Sequence, residues 1–109
     1  MNIQQISEDF FITGQVHPEH METLSARGIR SIICNRPDGE EAGQPSFDTV
    51  QTAAKAAGID MRYVPIVHGA AGQPEFVAFG EALQALPTPV LGYCRSGMRS
   101  ANMYGAVTK

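Results

Sequence analysis

A short segment near the end of the chain combines residue types that covalent catalysis uses. It reads C-R-S-G-M-R-S, from Cys94 to Ser100. The glycine permits a tight curl in which backbone N–H groups converge, and a helix that begins there adds its positive end. The two arginines add full positive charge. Because each feature favours thiolate over thiol, we predict a lowered pKa for Cys94 and a nucleophile suited to an anionic or polarised substrate.

The other residues of this segment divide into two predicted roles. We expect Cys94 and Arg99 to take part in the chemistry and the rest of the loop to bind the anion. The predicted anion-binding residues are Arg95, Ser96, Gly97, Met98 and Ser100.

The elements around this loop should place it at the edge of a sheet. Short β-rich runs alternate with stretches of helical spacing, which predicts right-handed βαβ crossovers and a mostly parallel sheet. The predicted elements are a hairpin of residues 3–6 and 10–13, strands at 29–34, 59–66 and 90–93, and helices that begin at Pro18, Phe47, Pro74 and Arg99.

In a parallel sheet the working site lies beyond the carboxyl ends of the strands. The loop that contains Arg36, the loop 67–73 and the Cys94 loop should therefore meet. Arg36 could face the anion site from its loop, although we favour an Arg36–Asp38 ion pair that fixes the loop's shape. His68 is the sole titratable residue of the loop 67–73 and so its one candidate acid. If it has no such role, we expect it to be an ordinary surface residue.

Composition excludes several classes of function. The chain has 109 residues, 43% of them hydrophobic and 17% charged, with a net charge of −3. We expect one globular domain over residues 1–109 that binds neither nucleic acid nor an anionic membrane, since such binders are normally basic. No apolar run reaches the roughly 18 residues of a membrane span. The first residues lack the pattern of a secretion signal, so a cytoplasmic location with reduced thiols is expected.

Neither a metal nor an organic cofactor is expected. Cys34 and Cys94 stand alone, and the three histidines form no set with ligand spacing. No glycine fingerprint for a nucleotide or flavin follows the first strand. We expect Cys34 to be a buried structural thiol, with a disulfide to Cys94 as the alternative.

Four motifs in order resemble one bacterial family. They are F-F-I-T-G-Q at 10–15, N-R-P-D at 35–38, Y-V-P-I at 63–66 and P-V-L-G-Y-C-R-S-G-M-R-S at 89–100. Over nearly its whole length the chain resembles the DUF442 family, the phosphatase-like domain of β-lactamase-hydrolase-like proteins. The resemblance implies a single α/β domain whose mostly parallel central sheet is flanked by helices, similar to tyrosine and dual-specificity phosphatases. The loop C-R-S-G-M-R-S by itself is similar to the active-site loop of rhodanese-type sulfurtransferases.

Two features favour sulfur transfer over phosphate hydrolysis. Four residues, 95–98, separate Cys94 from Arg99. That is one residue fewer than in tyrosine phosphatases, so the ring of amides should be smaller, which argues against a bidentate grip of Arg99 on phosphate. The loop 67–73 contains no Asp or Glu to protonate a leaving alcohol, and His68 is its one candidate acid.

The expected function is therefore that of a sulfurtransferase. The Cys94 thiolate would attack the outer sulfur of a small-molecule donor such as thiosulfate, a persulfide or a polysulfide. Arg95 and Arg99 would attract the donor, the loop amides would stabilise the Cys94 persulfide, and a thiol acceptor or cyanide would remove the sulfur. The resemblance to phosphatases implies that the Ser100 hydroxyl donates a hydrogen bond to the Cys94 sulfur, unless Ser100 caps the helix.

Two alternatives stay open. The first is a cysteine-dependent phosphatase that acts on a small phosphomonoester or a phosphorylated side chain. The second is a non-catalytic module that carries a persulfide for a separate enzyme. Members of the resembled family can be fused to a sulfur dioxygenase of the metallo-β-lactamase fold, which makes such an enzyme an expected partner. The last helix is expected to be short at Lys109, as in a truncated chain.

Overall fold

A five-stranded sheet forms the middle layer of the computed structural model, which describes residues 1–108. Its strand order is β1-β2-β5-β3-β4. The strands are β1 (Gln4–Gln5), β2 (Phe10–Thr13), β3 (Ser31–Cys34), β4 (Asp60–Tyr63) and β5 (Val90–Tyr93). β1 is antiparallel to β2, and all the other pairings are parallel. The predicted fold class, a mostly parallel α/β sheet, is confirmed.

Helices cover both faces of this sheet. They are α1 (Met21–Ala26), preceded by a 3-10 turn at Pro18–His20, and α2 (Phe47–Ala56), α3 (Gln73–Ala85) and α4 (Met98–Val107). α1 and α2 pack on one face, and α3 and α4 pack on the other. No helix within residues 1–108 is both long and apolar enough to cross a membrane.

Side-chain alternation along the strands divides the core into two halves. In β3, Ile32 packs with Leu24 and Val50 on the side of α1 and α2. The next residue, Ile33, packs with Phe79 and other residues on the side of α3 and α4. Because successive side chains point to opposite faces, a strand that is buried at every position, as β3 is, fits a sheet covered on both sides.

Three strands are shorter than the sequence predicts. β1 covers only Gln4–Gln5 of the predicted residues 3–6. β3 begins at Ser31, and β4 ends at Tyr63 although the apolar run continues to residue 66. Pro65 has no N–H to donate, so the regular ladder cannot continue through it. The chain nevertheless stays beside β3, because the N–H groups of Val64 and Ile66 donate to the carbonyls of Cys34 and Asn35.

The start of α2 follows the predicted pattern closely. Ser46 precedes the helix with extended backbone angles, and its hydroxyl accepts a hydrogen bond from the Thr49 N–H at 3.2 Å. A serine in this position satisfies an N–H that the helix itself leaves without a partner. Gly58, with a φ of +75°, follows the last turn.

α4 approaches the sheet closely at Gly92 in β5. A Cβ atom at this position would lie 2.8 Å from Cζ of Phe10 and 3.0 Å from Cβ of Ser100. Phe10 and the first turn of α4 therefore occupy the space that a side chain would need. The absence of a side chain at Gly92 lets α4 begin directly on the central strand.

We predict that Gly92→Ala lowers the free energy of unfolding by about 2 kcal/mol, because the added methyl group must displace packed atoms. Gly105→Ala is the matched control in α4, since a Cβ there meets nothing within 4 Å. The control should stabilise the protein by up to about 1 kcal/mol through helix propensity. Urea unfolding of the two variants measures both effects, and equal stabilities would contradict the close packing at Gly92.

Candidate active site

A cleft of 820 Å³ opens beyond the carboxyl ends of the parallel strands. The loops that follow β3, β4 and β5 meet there. The cleft is lined by Arg36, Glu40, Glu41, His68, Arg95, Ser96, Met98, Arg99 and Asn102. Parallel strands that end at one edge bring these loops together although they are far apart in the sequence.

Cys94 lies buried under the loop that joins β5 to α4. Its sulfur accepts a hydrogen bond from the Gly97 N–H at 3.0 Å. Burial is the largest single influence on the thiol and acts to raise its pKa. The backbone N–H groups of Ser100, Ser96, Arg99 and Gly97 together outweigh burial and lower the pKa of Cys94 below its ordinary value. The loop therefore favours the thiolate.

The curl of the loop depends on two glycines from different elements. Gly97 has a φ of +95° and precedes α4, a conformation that L side chains rarely adopt. Gly14, just after β2, packs against the loop from outside, and a Cβ there would lie 2.8 Å from the Arg95 carbonyl oxygen. The F-F-I-T-G-Q motif thus contains, at Gly14, the residue that allows β2 to support the Cys94 loop.

Arg99 is fixed by the two neighbouring loops. Its Nη1 donates to Oε2 of Glu40 at 2.7 Å and to the Ile66 carbonyl at 2.8 Å, and its Nη2 donates to Oε1 of Glu40 at 2.9 Å. These bonds to Glu40, and to a smaller extent the nearby Cys94 sulfur, raise the pKa of Arg99. Hydrogen bonds from Arg99 and then from Arg36 hold the pKa of Glu40 at about 2.

The contacts of Arg99 leave part of its guanidinium free. Three of its N–H donors are used by Glu40 and Ile66. The Nε–H and one N–H of Nη2 remain, and these two donors lie parallel on one edge of a guanidinium. The Cys94 sulfur is close enough to affect the pKa of Arg99, so these two donors are candidates to bind an oxyanion near the sulfur. With these two donors unused, a bidentate grip on phosphate is chemically available to Arg99, and the expectation drawn from the shorter loop stays a prediction.

Arg36 lies behind the cleft and is almost completely buried, with 4% of its side chain exposed. It donates to Glu40 at 3.0 Å, to Glu41 at 3.0 Å and to Oε1 of Gln15 at 2.9 Å. The predicted Arg36–Asp38 ion pair is wrong. The Asp38 carboxylate instead accepts the Phe47 N–H at 2.8 Å, because the loop turns it toward the start of α2.

Ser100 contacts Asn35 through its hydroxyl. Nδ2 of Asn35 donates to the Val64 carbonyl at 2.8 Å, so Oδ1 of Asn35 must accept the Ser100 hydroxyl, also at 2.8 Å. The hydroxyl therefore neither donates to the Cys94 sulfur nor caps α4, which begins after Gly97. Ser100 acts on Cys94 through its backbone N–H.

The remaining predicted residues are placed as follows. His68 is exposed and lines the cleft, as do Arg95, Ser96 and Met98. Cys34 is buried on the side of the sheet covered by α1 and α2, and burial raises the pKa of its thiol to about 11. Both cysteines are free thiols in this structure.

Sequence reasoning missed the acidic residues of the cleft. Glu40 and Glu41 follow the N-R-P-D motif after one glycine, Gly39, and pair with Arg36 and Arg99. The sequence did offer a signal for them, since two adjacent glutamates lie in a loop predicted to follow a strand at the site edge of the sheet. Asn35, which fixes Ser100, was also missed.

The site can thus stabilise a thiolate and, beside it, a tetrahedral oxyanion. The loop N–H groups are directed inward, and Arg99 is held in place before any ligand arrives. Preorganised donors of this kind stabilise charge that develops in a transition state without the cost of reorganisation.

The lowered pKa of Cys94 gives a testable prediction. Titration of the thiolate ultraviolet absorbance should show a step below the ordinary thiol pKa, since the loop N–H groups favour the anion. Cys94→Ser should remove this step. Cys34→Ser is the matched control and should keep it, because the Cys34 thiol ionises only near pH 11. A first step at or above the ordinary value in the wild type would contradict the prediction.

The chain matches one family of known proteins over almost its whole length. Residues 2–108 match the family described as the phosphatase-like domain of beta-lactamase hydrolase-like protein. A beta-lactamase hydrolase-like protein of Xylella fastidiosa is 38% identical over 104 residues, which are 95% of this chain and 24% of that protein. The chain therefore spans about a quarter of the length of the curated relatives that it matches.

Solved structures show the same fold. A candidate phosphatase from Neisseria meningitidis superposes with a TM-score of 0.89 at 31% identity, covering 96% of this chain and 75% of that chain. The core catalytic domain of a PP-IP phosphatase from S. cerevisiae, in complex with citrate, gives a TM-score of 0.71 at 17% identity, covering 98% of this chain and 64% of that one. The latter likeness concerns the fold alone. The chain belongs to the family of phosphatase-like domains of beta-lactamase hydrolase-like proteins, and its fold is that of the cysteine-dependent phosphatases.

Proposed function

We propose that this chain is a cysteine-dependent phosphatase that acts on a small phosphorylated compound. The observation that carries the proposal is the Arg99 guanidinium, held by Glu40 and Ile66 with one donor edge free beside the Cys94 sulfur. The match to phosphatase-like domains supports it. The proposal replaces the sulfurtransferase as the leading hypothesis, because the matched family and the solved structure of a similar chain are both described as phosphatase-like or phosphatase.

The chemistry has two steps. The Cys94 thiolate attacks phosphorus, an S–P bond forms, and the P–O bond to the leaving alcohol breaks with its electron pair on oxygen. Water then attacks the cysteinyl phosphate, which releases inorganic phosphate and restores the thiolate. The loop N–H groups and Arg99 stabilise the phosphoryl oxygens in both steps.

The leaving oxygen needs a proton, and His68 is our proposed donor. His68 lines the cleft on the loop where a phosphatase of this fold would carry an acid. Glu40 is unsuitable because its pKa of about 2 keeps it ionised. A histidine can protonate an alkoxide but is dispensable for a leaving group that is already stable as an anion.

We expect measurable phosphate release from aryl and alkyl phosphomonoesters. Cys94→Ser should abolish it. Arg99→Lys should lower kcat/KM about 100-fold, since lysine keeps the charge but lacks the paired N–H donors of a guanidinium. His68→Asn should slow alkyl esters more than aryl esters. Arg62→Lys is the matched control, an exposed arginine on β4 outside the cleft that should change nothing. Full activity of Cys94→Ser would overturn the proposal.

Sulfur transfer is the second candidate, favoured by the four-residue spacing between Cys94 and Arg99 and by the absence of a carboxylate from the loop 67–73. In this reaction the thiolate attacks the outer sulfur of thiosulfate, an S–S bond forms and sulfite leaves with the electron pair. A thiol acceptor then removes the sulfur from Cys94. The partner expected from the family resemblance is a sulfur dioxygenase of the metallo-β-lactamase fold, which could oxidise the persulfide that the acceptor thiol becomes.

Intact mass spectrometry tests this candidate. Incubation with thiosulfate or a polysulfide should add one sulfur, about 32 Da, to the wild type and nothing to Cys94→Ser. Loss of the added mass with glutathione, together with repeated turnover, would support a sulfurtransferase. Loss without turnover would support a persulfide carrier. If no adduct forms and phosphate is released, the phosphatase is the one candidate function that remains.

A further inference from the structure

A second groove adjoins the cleft on the far side of the Cys94 loop. We call it the N-terminal groove. It has a volume of 530 Å³ and lies between the first residues of the chain, β2 and the loop itself. Arg95 and Ser96 line both the cleft and the N-terminal groove. A molecule bound at the Cys94 loop can therefore extend past Arg95 into this groove.

The arginines around the Cys94 loop differ in whether a carboxylate pairs with them. Arg36 is paired with Glu40 and Glu41, and Arg99 is paired with Glu40. Arg95 is exposed and makes no ion pair within the described residues 1–108. It is thus the one arginine of the cleft whose charge no carboxylate neutralises.

The walls of the N-terminal groove suit a polar anionic group. Gln4 and Thr13 contribute amide and hydroxyl groups, and Asn2 contributes a second amide. No aspartate or glutamate lines the groove. An anion placed there meets the Arg95 charge and hydrogen-bond donors, and no negative side chain opposes it.

We propose that the N-terminal groove binds the part of the substrate beyond the reacting group, and that Arg95 pairs there with a second anionic group. The substrate class is a small, hydrophilic phosphomonoester that carries a carboxylate or a second phosphate. The assignment rests on the proposed function in that the reacting group is taken to be a phosphate. It goes beyond that function because it names a second subsite and the charge that it selects.

A pair of ligands that do not react tests the groove without turnover. Phosphonobutyrate joins a phosphonate to a carboxylate by a flexible chain, and its carboxamide has nearly the same shape without the second charge. Calorimetry on the wild type should give a Kd about 3–5-fold lower for the carboxylate, the size of an exposed ion pair. Arg95→Gln should bring this ratio to about 1, and Arg95→Lys should restore part of it.

A matched pair of variants on β1 tests the location. Gln4 lines the groove, whereas Gln5 is the next residue of the strand, does not line it and points to the opposite face. Gln4→Glu should reduce the preference for the carboxylate about threefold by charge repulsion. Gln5→Glu, with the same change of charge, should leave the preference unaltered.

The outcomes separate this inference from the proposed function. Equal affinities for the two ligands in the wild type, a ratio that persists in Arg95→Gln, or no binding of either ligand would overturn the groove assignment. Phosphate release without the preference would leave the phosphatase and remove the subsite. The preference without phosphate release would keep the subsite and remove the phosphatase.

Discussion

The close approach of α4 to β5 at Gly92 is the constraint on which the site depends. β5 lies between β2 and β3, so it cannot shift without disturbing both ladders. A helix that begins directly on this strand brings its first N–H groups to the end of the strand, where Cys94 lies. The same packing places Ser100 against Asn35 and so ties α4 to the loop after β3. The position of the first turn of α4, and with it of the N–H groups around Cys94, therefore depends on the missing side chain at Gly92.

Glu40 balances the positive charges of two arginines at the site, Arg36 and Arg99. A buried guanidinium such as that of Arg36 is costly unless its charge and its donors are both satisfied. Glu40, Glu41 and Gln15 satisfy Arg36, and Glu40 also orients Arg99. One carboxylate thus links two loops and decides which edge of Arg99 is left for a ligand. The result is a site whose arginine side chains have fixed orientations and whose positive charges are largely balanced by carboxylates.

The fold and the chemistry are separate questions in this family. The architecture is that of cysteine-dependent phosphatases, yet a thiolate in a ring of amides can attack sulfur as readily as phosphorus. What favours phosphate here is the free edge of Arg99, which matches paired oxygens of a tetrahedral group. What favours sulfur is the short spacing between Cys94 and Arg99, together with a loop 67–73 without a carboxylate.

The sequence by itself determined the order of the elements and the lowered pKa of Cys94. Alternating β-rich and helical segments predicted the parallel sheet, and cysteine, glycine and arginine at a strand-to-helix junction predicted an ionised Cys94; both depend on neighbours in the chain. Only the tertiary structure decided the pairings. Arg99 meets Glu40 across 59 positions, and Arg36 meets the glutamates rather than Asp38. Such pairings depend on the register of β3 beside β5 and on how each loop turns, which local residue patterns do not specify.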